Sequence, residues 1–376
     1  MKNILVCLDS FKDSISGIEA NTIIANTIAE ELPHAKINII NLSDGGPGFI
    51  NAMLQNRQGC TIITKEVTGP LQNKISAQYA IFENTAIIEI AKSSGLELIP
   101  QNKRNPLITT SYGVGELILD ALNKNVNKII IGLGGSANND GGAGLLQALG
   151  AKLLDKNNQE LHFGGSNLVN LHNINLENLD TRLNNIIIEI ASDVTNPLLG
   201  YNGATYIYAK QKGAKNDDIA LLEKSLDNYA NITKNIFKVD YINYPGSGAA
   251  GGLGYALLAL GGELKSGINL VMEHNKFAQK LMTADYIFSG EGSIDEQTLS
   301  GKTISGIAKL CKKHKKPLII LTGKSLPNLE SLYKIGVTAV FPIGNAETNL
   351  PTALQNAKDN LYRTTKNIMR ILNFHN

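Results

Sequence analysis

The sequence predicts an α/β protein of two different α/β domains: a Rossmann-like domain built from both termini, with a second, mixed-sheet α/β domain inserted. Three observations predict this. Short apolar runs alternate with helical periodicity towards both ends of the chain, the pattern of parallel strands joined by crossover helices. The stretch from about Thr61 to Glu89 instead holds β-rich runs split by Gly69-Pro70 and Glu83-Asn84, which reads as antiparallel strands. At 376 residues the chain is also longer than one core usually needs. The rhythm groups residues 1–80 with 284–376 in the first domain and leaves 81–283 as the inserted one.

The elements follow in order. Ile4–Leu8 is a buried strand, and the loop Asp9-Ser10-Phe11-Lys12-Asp13-Ser14 leads to a helix over about Ser16–Leu32. Ile18, Ile23, Ile24 and Ile28 form its apolar face, and Ser16 with Glu19 forms a capping box. Ile37–Leu42 is the second strand, ending at Asp44-Gly45-Gly46. A helix from Thr109 to Lys124 precedes strand Lys128–Ile131 and the loop Gly132 to Gly144. Strand Ile186–Ile190 ends in Ser192-Asp193-Val194-Thr195-Asn196-Pro197. The last third alternates strands at Tyr286–Phe288, Leu318–Leu321 and Ala339–Phe341 with helices near 303–313, 326–335 and 352–370.

Composition excludes several classes. The formal charge is +2, from 35 basic and 33 acidic side chains, so neither nucleic acid nor an anionic membrane is an expected partner. No run approaches the roughly 18 apolar residues of a membrane helix, and the N-terminus reads as a strand rather than a signal peptide. A cytoplasmic protein, monomer or homodimer, is the expectation. Cys7, Cys60 and Cys311 share no metal-ligand or redox spacing, and there is no HExxH, CxxC or G-x-S-x-G.

What remains is glycine, 36 residues of it, clustered with carboxylates, amides and a few lysines at five predicted strand ends. Open α/β sheets bind ligands there. Gly132-Leu133-Gly134-Gly135-Ser136-Ala137 fits the dinucleotide fingerprint formally, but Asn138-Asn139-Asp140-Gly141-Gly142 intervenes before any apolar helix. A loop of that composition suits phosphate or polyol binding through backbone N–H groups. Gly301-Lys302-Thr303 resembles the tail of a Walker A loop, but Glu296 stands where the earlier glycine is required. Lys302 could still meet a phosphate from a helix start. Gly246 to Gly254 precedes an apolar helix, Tyr255–Leu260, and admits either an anion site or tight helix packing. This inventory suits phosphoryl transfer: carboxylates for Mg²⁺ and a hydroxyl proton, cations and N–H donors for phosphates.

The runs Asp9-Ser10-Phe11-Lys12, Asp44-Gly45-Gly46, Thr68-Gly69-Pro70, Gly132 to Gly144, Ser192 to Leu198, Gln211-Lys212-Gly213-Ala214, Gly246 to Gly254, and Gly290-Glu291-Gly292 with Asp295 and Gln297 resemble, in order, the bacterial type I glycerate kinases. The resemblance spans nearly the whole chain. It implies two unlike α/β domains, an active site in the cleft between them, and ATP-dependent phosphorylation of D-glycerate with Mg²⁺, giving 2-phosphoglycerate. The expected roles are Asp193 as proton acceptor, Lys12 at the phosphate or carboxylate, Asp9 at a hydroxyl or metal-bound water, and Asp295 with Glu291 at Mg²⁺. Ser10, Asp44, Gly134, Gly135, Ser136, Asn138, Asp140, Asn196, Lys212, Gly248, Gly251 and Lys302 are expected to bind substrate or phosphate. The chain departs from the family pattern at Pro47 and Phe49, where Glu and Thr are usual, at Ser293, where Arg is usual, and at Tyr208-Ala209-Lys210. Those departures leave room for another small hydroxy or sugar acid as acceptor, or for a non-catalytic ligand-binding relative.

Overall fold

A computed structural model describes residues 1–11, 14–55, 57–294, 303–325, 328–344 and 349–373. The chain divides into two compact units, 1–43 with 51–55 and 268–376, and 44–50 with 56–267.

The first unit is built on a five-stranded sheet. Its strands are β1 (Asn3–Leu8), β2 (Lys36–Ile39), β11 (Tyr286–Ser293), β12 (Leu318–Lys324) and β13 (Ala339–Pro342), in the order β13-β12-β11-β1-β2. Every pairing is parallel. The strands are apolar almost throughout because both faces are covered. Leu5, Cys7, Ile287, Leu318 and Ile320 pack into one core with Ile304, Ile307 and Leu332 of the helices on that side. Ile4, Val6, Leu8, Phe288, Ile319 and Leu321 pack into the other, against Ile24, Ile28, Leu361 and Ile368. Each such side chain, fully buried, contributes about 1.5–3 kcal/mol. The order is the doubly wound 2-1-3-4-5 pattern, so the chain leaves β1 to one side and later returns to its other side at β11. Ser16 caps helix Gly17–Glu31 by accepting the Glu19 N–H at 3.2 Å, one half of the expected capping box, while the Glu19 carboxylate pairs with Lys358. Ile18, expected on the apolar face, is exposed instead; Ala20, Asn21, Ala25 and Thr27 complete the buried stripe.

The second unit holds a six-stranded sheet in the order β10-β9-β6-β5-β4-β3. Its strands are β3 (Thr61–Thr68), β4 (Lys74–Phe82), β5 (Thr85–Glu89), β6 (Lys128–Gly132), β9 (Ile187–Ala191) and β10 (Glu263–Lys265). A two-stranded ribbon pairs β7 (Lys152–Leu154) with β8 (Asn173–Asn175). The strands β5, β6, β9 and β10 run parallel, while β3 and β4 add an antiparallel flank. Ala86, Ile88, Ile129, Ile131, Ile188 and Ile190 face a single core shared with Val114, Leu117 and Ile118 of helix Tyr112–Leu122. The expected grouping of residues 61–80 with the terminal domain differs from these pairings. They join the second sheet because β4 hydrogen-bonds β5, and the changeovers fall near residues 44–56 and 267–268.

Candidate active site

In the first unit the expected site residues Asp9, Ser10 and Glu291 lie where the strand order reverses. β1 and β11 are neighbours in register, Leu8 opposite Gly290, and the Asp9 N–H donates to the Gly290 carbonyl at 2.9 Å. Asp9, Ser10 and Glu291 therefore leave adjacent strands at their carboxyl ends. Asp9 Oδ1 accepts the Ser10 N–H at 2.6 Å, which fixes the first bend of the loop. Ser293, where the family pattern has Arg, stands opposite Lys324 of β12, so a cation remains at that strand end. Lys12, Asp295 and Lys302 lie outside the described residues.

In the second unit the strand order does not reverse, and the carboxyl ends of its parallel strands are marked by a row of four paired residues, Glu89, Gly132, Ala191 and Lys265. Just beyond that row lie Gly134, Gly135 and Ser136 on one strand end and Ser192 and Asp193 on the next. The Leu133 N–H donates to the Ala191 carbonyl at 2.9 Å and holds the two ends together. Asp44 turns its own loop by accepting the Gly46 N–H at 3.0 Å, and Gly45 and Gly46 pack onto Ala191 and Gly134. Asp44, Gly134, Gly135, Ser136 and Asp193 thus share one sheet edge.

Several predicted ligand residues hold the loops together. Asp140 is buried, and its carboxylate accepts five hydrogen bonds: from the Ser111 N–H and Oγ–H at 2.8 and 2.9 Å, Asn138 Nδ2 at 2.8 Å, and the Gly142 and Gly144 N–H groups at 3.2 and 3.4 Å. Asn138, also buried, accepts from Ser94 Oγ at 3.1 Å and donates to the Ala250 carbonyl at 3.2 Å. Asn196 accepts from the Tyr208 hydroxyl at 2.7 Å, and its carbonyl accepts the Gly246 and Gly248 N–H groups. Gly248 and Gly251 are glycines because a Cβ would collide with the Pro197 and Asn138 carbonyls. Ala250, Gly251 and Gly252 all adopt left-handed backbone before the regular helix begins. Of the two readings of this glycine run, the geometry matches close packing.

Lys212 is 3% exposed, and its ammonium donates to Ser136 Oγ at 2.9 Å and the Asn138 carbonyl at 2.7 Å. Burial lowers its pKa to about 7, opposed by the field of Asp140. Two further polar groups carried no sequence motif. Glu89 ends β5 fully buried and accepts the Gly48 and Ile50 N–H groups at 3.1 and 3.3 Å, fixing the loop after Asp44. Burial raises its pKa, against the pull of Lys92 at 3.8 Å and of backbone donors at Ile50, Gly48 and Phe49. Arg104 has a shielded Nε with no acceptor among the described residues. A carboxylate closing a buried strand was the one available signal for Glu89; Arg104, a lone cation in a loop, gave none.

A doubly wound unit with carboxylates at its switch point, and a second sheet with a glycine-rich strand end, are compatible with a small-molecule phosphotransferase. The sequence matches the glycerate kinase family over residues 4–373, and the chain belongs to that family. It is 43% identical to the glycerate 2-kinase of Escherichia coli (strain K12) over 98% of this chain and 97% of that one. Identity to the glycerate kinase of Bacillus cereus (strain ATCC 10987 / NRS 248) is 40%, with the same coverage. A crystal structure from Salmonella typhimurium LT2 assigned to glycerate kinase 2 superposes with a TM-score of 0.83 at 41% identity, covering 99% of this chain and 98% of that one. Among the described residues no helix is long and apolar enough to cross a membrane.

Proposed function

We propose that the chain transfers the terminal phosphoryl group of ATP to the 2-hydroxyl of D-glycerate, giving 2-phosphoglycerate and ADP. The observation that carries this reading is full-length similarity, at 40–43% identity, to proteins named glycerate 2-kinase and glycerate kinase. The strand-end chemistry agrees with it.

Asp193 takes the proton of the acceptor hydroxyl as its oxygen attacks phosphorus; Asn196 and Pro197 stiffen the loop that presents it. Asp44 and Ser136 contact the acceptor from the same sheet edge, with the backbone of Gly134 and Gly135 beside them. Among the described residues no group of three or more His, Cys, Asp or Glu side chains forms a metal cage. Mg²⁺ does not require one, since it is held by one or two carboxylates together with waters and phosphate oxygens. Asp9, Ser10 and Glu291 offer that kind of hard-oxygen set on adjacent strand ends, and Asp295, four residues after Glu291 in the sequence, is the further carboxylate of the proposal. When bound, the ion neutralises charge that builds on the phosphates during transfer. Lys12, Lys302 and Lys324 are the cations proposed to meet the phosphates.

A coupled ADP-release assay with D-glycerate, followed by identification of the phosphoglycerate isomer, tests the proposal. ADP release with 3-phosphoglycerate as product would move the attacking hydroxyl, and release only with another hydroxy acid would replace the acceptor.

A further inference from the structure

Among the described residues Lys212 is the only buried lysine or arginine, and the partners of its ammonium, Ser136 Oγ and the Asn138 carbonyl, are both neutral. The carboxylate whose field reaches it, Asp140, is committed to five other donors. The backbone of Arg104 runs against Gly213, the residue after Lys212: a Cβ on Gly213 would lie 2.9 Å from Arg104 Cβ. The segment leading to Arg104 is tied to the loop of Ser136 by the Gly95–Ser136 bridge and by the Leu96 N–H, which donates to the Gly135 carbonyl at 2.7 Å. Arg104 Nε is shielded from solvent and meets no acceptor among the described residues. Asp140 offsets the ammonium's charge at a distance but accepts no hydrogen bond from it, and Arg104 Nε has no acceptor among the described residues. Shielded cationic donors are costly to leave unsatisfied, and an anion would take both.

We propose that Lys212, Arg104 and the Ser136 hydroxyl form an anion subsite that takes the carboxylate of the acceptor hydroxy acid. The proposal rests on the kinase reading above. A planar carboxylate matches the guanidinium fork, and a single charge suits a place with no metal carboxylate free to serve it. The phosphates belong with the carboxylates of the first unit, where Mg²⁺ can be held.

The test is calorimetric titration of the intact protein with D-glycerate alone and with ATP alone, for wild type, Arg104→Met and Lys212→Met, circular dichroism reporting the fold. Each substitution is expected to weaken D-glycerate by about ten- to a hundredfold while ATP affinity holds within about twofold. Glycerol, which keeps the hydroxyls and lacks the carboxylate, is expected to bind all three proteins equally weakly. Unchanged D-glycerate affinity in both variants overturns the subsite, and a loss confined to ATP overturns the carboxylate in favour of a phosphate. Should Lys212→Met fail to fold, Arg104→Met decides alone. Wild type that binds ATP but not D-glycerate sinks the acceptor reading itself, separately from the variants.

Discussion

Asp193 follows directly on the buried strand β9, and its neighbour Ser192 accepts the Val194 N–H at 3.3 Å, so a short turn sets where the carboxylate stands. Asparagine there keeps the shape and removes the basicity. Asp193→Asn is expected to lower kcat by about 10² to 10⁴, the usual contribution of a positioned base, with little change in melting temperature. Steady-state rates within threefold of wild type, with D-glycerate as acceptor, would remove Asp193 from the role. Lys212 gives a second prediction. In the free protein its ammonium loses its proton above about pH 7, because burial disfavours the charge. Asp140 faces it across Asn138 and opposes the shift, and Lys210 and Lys215 flank it in solvent. A bound carboxylate favours the ammonium, so binding takes up a proton. KM for D-glycerate should therefore rise about tenfold per pH unit above 7, with kcat changing less. Stability runs the other way. An unfolded lysine titrates near 10.4, so the unfolded chain holds more protons between about pH 7 and 10, and the ligand-free protein gains stability as pH rises through that window. A flat KM between pH 7 and 9 would contradict the assignment.

Glycine- and carboxylate-bearing loops at strand ends were legible in the sequence, but what each of those residues packs against was not. Gly134 read as part of a substrate or phosphate cradle, and Gly248 and Gly251 as an anion site or tight packing; that each meets the backbone of a residue distant in the chain is a contact no local pattern encodes. Asp140 read as a ligand, because an Asp in a glycine loop looks alike whether it faces solvent or is enclosed by five donors. The strands and the capped helix Gly17–Glu31 were legible because their signals are local: apolar runs, and a serine three residues before a glutamate. Asp140 separates anchor from ligand experimentally. Alanine there orphans Ser111, Asn138 and two backbone N–H groups, and loosens loop 132–144 from the start of helix Tyr112–Leu122. Leaving such donors buried and unpaired costs about 3 kcal/mol or more, a fall of roughly 6–12 °C in Tm for a unit of this size. Calorimetry of Asp140→Ala showing an unaltered Tm, with only KM changed, would return Asp140 to the ligands.

At the scale of the whole chain the two α/β units and their unlike sheets could be foreseen from rhythm alone, yet the boundary at residue 80 could not be placed correctly. The antiparallel character of Thr61–Phe82 was readable; that its partner is β5, and so the second sheet, depends on pairing between strands. The proposed function gives each unit its own chemistry. Asp9 and Glu291 leave β1 and β11 where the parallel order reverses, the position at which doubly wound sheets hold nucleotides. Asp193, Ser136, Lys212 and Arg104 belong to the other sheet. If the division is as proposed, the two halves of the reaction separate on mutation. Glu291→Gln keeps the size of the side chain and loses a metal-seeking charge. It should raise the Mg²⁺ concentration giving half-maximal rate, and KM for ATP, by about tenfold or more, while calorimetric binding of D-glycerate to the same variant stays unchanged. Arg104→Met should show the reverse pattern. A Glu291→Gln protein that keeps its Mg²⁺ dependence but loses D-glycerate would reverse the allocation of nucleotide and acceptor between the two sheets.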